Sequence, residues 1–85
     1  MKQHPEFFGE AELSLIYIGK RLKESLKVEA ALTAGEVDYL VEPDTYSGGL
    51  IFRTERIGAF FYVTPEKEAE ARQVLAAHGF KPYSV

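Results

Sequence analysis

The chain has no cysteine and only two histidines among its 85 residues. Without cysteine there is no disulfide, no thiol nucleophile and no thiolate metal ligand. The histidines, His4 and His78, stand far apart with no acidic residue at ligand spacing, a poor start for a metal site. His4 falls in an N-terminal stretch, residues 1–11, expected to fray, and His78 at a helix end where an imidazolium complements the dipole. Ser14, Ser25, Ser47 and Ser84 lack the surroundings of a nucleophile elbow, and Glu66, Glu68 and Glu70 read as a solvated helix face. The expectation is a protein that is not an enzyme, with no catalytic residue, metal site or cofactor.

Long apolar runs are missing too. Nothing approaches the roughly 20 apolar residues that cross a bilayer. The first apolar run, residues 13–18, is short, follows Glu10 and Glu12 and has no cleavage pattern, so no secretory signal is expected. The chain reads as cytoplasmic, without a membrane partner. An excess of positive charge is also absent: ten Lys and Arg face 13 Asp and Glu, a formal charge of −3. That balance argues against a strong polyanion binder, because such affinity rests on neutralising phosphates.

What is present is an ordinary globular composition, 46% hydrophobic and 27% charged, uninterrupted by linker, repeat or low-complexity tract. Residues 1–85 therefore form one domain with a single core. Residues 12–18 are apolar on both alternating sides, which predicts a central strand ended by Gly19. Residues 20–34 place Leu22, Leu26, Val28, Ala31 and Leu32 at helical spacing, with Gly35 as the stop. A second strand is expected at 37–42, ended by Pro43, and "PDTYSGG" at 43–49 concentrates turn residues and predicts a loop. Residues 50–54 predict a third strand, "ERIG" a tight connection, and "AFFYV" at 59–63 a fourth strand near the sheet centre. Thr64, Pro65 and Glu66 match cap, N1 and first-turn preferences of a second helix. Gly79 and Phe80 then form a Schellman ending, and "FKPYSV" a possible edge strand.

The order β-α-β-β-β-α predicts an α+β, ferredoxin-like two-layer sandwich with both helices on one sheet face. Two consecutive hairpins would set the fourth strand parallel to the second, which the plain ferredoxin pattern does not have. If Ile16 and Ile18 face the helices, the open face receives Leu13, Leu15 and Tyr17 with Phe60 and Tyr62. That much apolar surface predicts an interface, and a homodimer is expected through this face or a sheet edge.

Three further readings concern binding. "IYIGKRLKES", residues 16–25, puts Lys20, Arg21 and Lys23 at a helix start, where the macrodipole disfavours cations. They are either solvated charges or, with the free backbone N–H groups, contacts for a small anionic ligand. In the 43–49 loop, Asp44, Tyr46 and Ser47 are candidate ligand contacts beside the plain hairpin reading. "IYIGKR" and "RIGAFFYV" partly resemble the strand motifs of an RNA-recognition module, which would stack bases on Tyr17 and Phe60.

Residues 12–80 also resemble a family of small prokaryotic putative signal-transducing domains related in fold to the nitrogen-regulatory GlnB proteins. The likeness rests on "EAALTAGEVDYLVEPD" and "FFYVTPEKEAEARQVLAAHGF", through Leu32, Gly35, Tyr39, Val63, Pro65, Glu66, Ala71 and Leu75. It departs from that outline at Lys20, Arg21 and Lys23, and the GlnB nucleotide loop is absent. The resemblance implies a ferredoxin-like fold and a regulatory, ligand-sensing or protein-interaction role, with no catalytic residue carried over.

Overall fold

The computed structural model describes residues 1–48 and 54–84, the side chains of Ser47, Thr54 and Glu55 excepted. A three-stranded antiparallel sheet carries β1 (Ser14–Gly19), β2 (Leu40–Gly48) and β3 (Thr54–Val63) in the order β1-β3-β2. Helix α1 (Leu22–Ala34) joins β1 to β2, and α2 (Glu68–Ala77) follows β3 through a 3-10 turn at Pro65–Lys67. Since β1 and β2 each run antiparallel to β3, they are parallel to one another, and α1 is the crossover between them.

The central strand is longer than its sequence suggests. Glu55, Arg56, Ile57 and Gly58, read above as a tight connection, are inside β3 and pair with Ser47, Tyr46, Thr45 and Asp44. The expected strand at 59–63 is thus the second half of one strand from Thr54, while the expected strand at 50–54 falls, apart from Thr54, outside the described residues. A single hairpin now separates the helices, which removes the parity conflict. The expected loop at 43–49 is likewise corrected: residues 43–48 belong to β2, and Gly49 lies outside the described residues. Pro43 is tolerated there because β2 is an edge strand whose outer side needs no donor at that position.

The core lies between sheet and helices. Ile16, Phe61 and Val63 from the strands meet Val28 and Leu32 of α1 and Ala71 and Leu75 of α2, all essentially inaccessible. Apart from Ala71, each of these side chains contributes roughly 1.5–3 kcal/mol on burial. Val37 and Tyr39 join this core just before β2 begins.

β1 carries a bulge between Leu15 and Tyr17, and the bulge decides which side chains face where. Ser14 pairs with Val63 and Tyr17 with Phe61, on the helix side, whereas Leu15 pairs with Tyr62 and Ile18 with Phe60, on the other. Ile16, the unpaired residue, enters the core. The assignment of Ile18 to the helix face and Tyr17 to the open face is thus reversed, because one extra residue shifts the side-chain period from that point on.

Both helices end in Schellman geometry. After α1, Val37 N–H bonds Leu32 C=O at 3.0 Å and Glu36 N–H bonds Thr33 C=O at 3.0 Å. Glu36, not Gly35, takes the left-handed conformation, with φ 58° against −81°. Gly35 has a different reason to be glycine: a Cβ there would stand 2.9 Å from Val74 Cγ2, where α1 meets α2. After α2, Phe80 N–H bonds Leu75 C=O at 2.9 Å with Gly79 at φ 82°, as the sequence predicts. Thr64 precedes the 3-10 turn without making a side-chain cap bond.

The two chain ends run beside the sheet edges. Gln3 N–H bonds Tyr39 C=O at 2.8 Å, Tyr39 N–H bonds Met1 C=O at 3.1 Å, and Phe8 is buried, so the segment expected to fray is docked. Backbone pairing and an apolar anchor offset the entropy of ordering it. At the other edge Tyr83 N–H bonds Ile16 C=O at 2.7 Å, a single bond where an edge strand was expected.

Candidate functional site

At Gly19 the chain leaves β1 and turns into α1. A Cβ at Gly19 would fall 2.0 Å from Ser25 Oγ, so the missing side chain lets the first turn of α1 close onto the end of β1. Arg21 occupies the N-cap with extended backbone and no side-chain cap bond. Lys20 and Arg21 therefore precede the helix, and of the three cations only Lys23 stands within its first turn. The Glu24 carboxylate accepts a bond from the Lys20 backbone N–H at 3.1 Å, so the acid reaches back toward the helix entrance.

Tyr46 reaches the same place from β2. It lies over Gly58 of β3: a Cβ there would come within 3.0 Å of the Tyr46 ring and 3.1 Å of the Gly19 carbonyl oxygen. Crossing the strand at this glycine brings the ring under the Lys20 ammonium, 5.3 Å from the ring centroid. The tail after α2 closes the third side with Lys81 and Tyr83, held by the Tyr83 bond to Ile16 and by Arg72 Nη1 donating to Tyr83 C=O at 2.6 Å. The result is an open cleft of about 530 Å³ with Tyr17, Lys20, Glu24, Tyr46, Lys81 and Tyr83 in its walls.

Two cations and three phenol rings thus surround a single carboxylate. Burial pushes the Tyr17 hydroxyl above the ordinary tyrosine range, and the nearby Glu24 charge and a hydrogen bond to Glu24 add to the rise. Tyr17 consequently stays a neutral phenol beside Glu24. With the carboxylate so engaged, neither Lys20 nor Lys81 has an ion-pair partner among the described residues. The cleft offers aromatic surface and unmatched positive charge.

The structure distributes the other sequence candidates elsewhere. Arg21 and Lys23 line a neighbouring hollow with Lys27 and Phe80. Asp44 is exposed, and its Oδ1 accepts from Thr45 N–H at 2.8 Å. Ser47 has a backbone position in β2, its side chain lying outside the description. Among the described side chains of the former loop group, Tyr46 enters the cleft and Asp44 does not. Leu13, Leu15 and Tyr62 are half-buried, with Leu13, Leu40, Glu42 and Tyr62 around a small hollow on the face away from the helices.

That face is not broadly wet. Phe60 is 8% exposed and Leu40 6%, and both lie outside the helix-side core cluster. Residues 4–13 lead from the pairing at Tyr39, beside β2, to Ser14 at the opposite edge, and Phe8 is the buried residue within that passage. Tyr17 and Phe60 stand on opposite faces, so they form no common stacking platform; the Tyr17 ring instead meets Phe61 at 6.2 Å and Phe80 at 5.8 Å edge to face. Lys81 and Tyr83 escaped the sequence reading. Their signal was the expected terminal strand, which would turn alternate residues 81 and 83 to one side of β1.

Among the described residues no group of three acidic or histidine side chains is arranged to hold a metal ion, and no helix is long and apolar enough to cross a membrane. No family model, curated protein or solved structure matches the chain.

Proposed function

We propose that the protein is a small, non-enzymatic, ligand-sensing module whose seat is the cleft at the end of β1, and that its ligand is an organic anion carrying a planar ring. The observation that carries this reading is the pair Lys20 and Lys81, both without a carboxylate partner among the described residues and both in the walls of a cleft with three tyrosine rings, Lys20 over that of Tyr46. The anionic group would sit between the ammonium groups and the ring against Tyr46 or Tyr83, so that charge and aromatic surface act together. Phenyl phosphate carries both features and serves as a probe. Calorimetry should find it bound more tightly than inorganic phosphate or phenol, with Lys20→Gln and Lys81→Gln each weakening it about tenfold, the equivalent of roughly 1.4 kcal/mol. Equal affinity for inorganic phosphate, or variants that bind as the parent does, would remove the assignment.

The strand order β1-β3-β2, with the Tyr83 tail against the outer edge of β1, supports reading the fold as ferredoxin-like. A regulatory role in the cytoplasm, of the kind implied by the resemblance to GlnB-related domains, belongs to the same proposal. So does self-association. Along β2 the described pairing on the outer side is confined to Lys2 beside Tyr39, which leaves residues 41–48 available as a template for a second copy. Sedimentation equilibrium should then give a mass that rises toward twice that of one chain with concentration; a single-chain mass throughout refutes this part.

A further inference from the structure

The basic residues that the cleft does not use line a second feature. Two hollows lie side by side between α1 and the chain that follows α2, one of about 430 Å³ and one of about 360 Å³, and they share Lys27 and Phe80. Together they make one groove. Its floor is Ala30, Ala31, Ala34 and Phe80, small side chains beside a half-buried ring. Its rim is Arg21, Lys23 and Lys27, none of which has an ion-pair partner among the described residues, with Glu24 the one acid at the mouth. Leu22 and Leu26, 76% and 54% exposed, lie on the adjoining flank of α1 and extend the apolar surface beyond Ala30.

Neither core packing nor an ion pair among the described residues accounts for these exposed side chains. The three described Lys and Arg side chains that do form ion pairs, Lys2, Lys67 and Arg72, lie outside the groove, on Glu29, Glu70 and Glu68. In a chain of net charge −3, four of the described cations without an ion pair, Lys20, Arg21, Lys23 and Lys27, stand on or just before α1, so an acidic partner is attracted to this end.

We infer that the groove between α1 and the chain following α2 docks an acidic amphipathic segment of a partner protein. The apolar side chains of that segment enter the two hollows over Ala30 and Ala34, and its carboxylates meet Arg21, Lys23 and Lys27 on the rim. The small apolar side chains inside the basic rim favour this occupant over an anionic headgroup surface, whose contacts would be to the rim alone. The site is separate from the ring-binding cleft, which it adjoins at Glu24.

The test is an amide NMR titration of the whole chain with a short synthetic peptide of Glu, Asp and Leu, its leucines at helical spacing. Saturable shifts are expected at Lys23, Lys27, Ala30, Ala34 and Phe80, and not at Tyr46. Lys23→Glu combined with Lys27→Glu should weaken binding about tenfold, as should the change from low to physiological salt. Both substitutions are at exposed positions, and an unchanged amide spectrum of the free variant confirms that the fold is kept. Replacing the peptide leucines by serine should abolish the Ala30 and Ala34 shifts. Absence of saturable shifts, equal binding of the serine peptide, equal binding by the doubly reversed variant, or co-sedimentation with phosphatidylserine vesicles in place of peptide binding would each overturn the inference. Shifts confined to Lys20, Tyr46 and Tyr83 would also overturn it, while leaving the cleft reading intact.

Discussion

Single residues here are chosen for what they touch, which periodicity does not report. Gly19, Gly35 and Gly58 all read as punctuation in the sequence, yet each is a place where a side chain or a backbone comes too close for a Cβ. Glu68 reads as one of a solvated acidic row, but its carboxyl lies below the ordinary range, chiefly through the neighbouring Ser14 hydroxyl of β1, with Arg72 at 3.1 Å adding a hydrogen bond and its charge. A depressed carboxyl favours the folded state once the group is ionised. Its contribution is present above the unfolded-state value and is lost as pH falls through the folded one. Ser14→Ala should therefore move the Glu68 carboxyl titration upward, back toward the ordinary range, and reduce the stability lost on acidification. Carbon-detected NMR of Glu68, beside acid unfolding curves, checks both; a titration that does not move would show that Arg72 alone sets the value.

Elements were legible where the signal was local. The spacing of Val28, Ala31 and Leu32 and of Ala71 and Leu75 predicts both helices, and Gly79 with Phe80 predicts the end of the second. The strands were harder, because their extent is fixed by partners. Nothing local tells that "PDTYS" lies in an edge strand opposite "ERIGA", nor that one residue of β1 is left unpaired. The end of α1 shows the same limit in small: Gly35 was the evident left-handed residue, but Val74 occupies the space that its Cβ would need, and Glu36 takes the left-handed position instead. A side chain there costs about 1 kcal/mol relative to glycine. Glu36→Gly should accordingly stabilise the protein by up to about 0.5 kcal/mol after the added freedom of the unfolded chain is subtracted. Urea unfolding measures it, and a loss of stability would mean that the Glu36 side chain contributes something the backbone geometry does not reveal.

On the scale of the whole molecule, the two-layer α+β architecture followed from element order, whereas the site depended on topology. Lys20, Tyr46 and Lys81 come from the entrance of α1, from β2 and from the tail after α2. They meet because β3 lies between β1 and β2 and because its Gly58 lets Tyr46 cross it. The cluster at Lys20, Arg21 and Lys23 is divided by the turn into α1, one cation lining the cleft and two the groove. Charge thereby becomes the organising feature of this end of the molecule, in a chain whose overall balance is acidic. The most direct measurement is a titration of the lysine side-chain ammonium resonances with phenyl phosphate at low temperature and low salt. The account predicts that Lys20 and Lys81 shift together along one saturation curve while Lys67, paired with Glu70, stays still. Ammonium signals that all drift alike without saturating, or that do not respond, would contradict a ligand seat between Lys20 and Lys81.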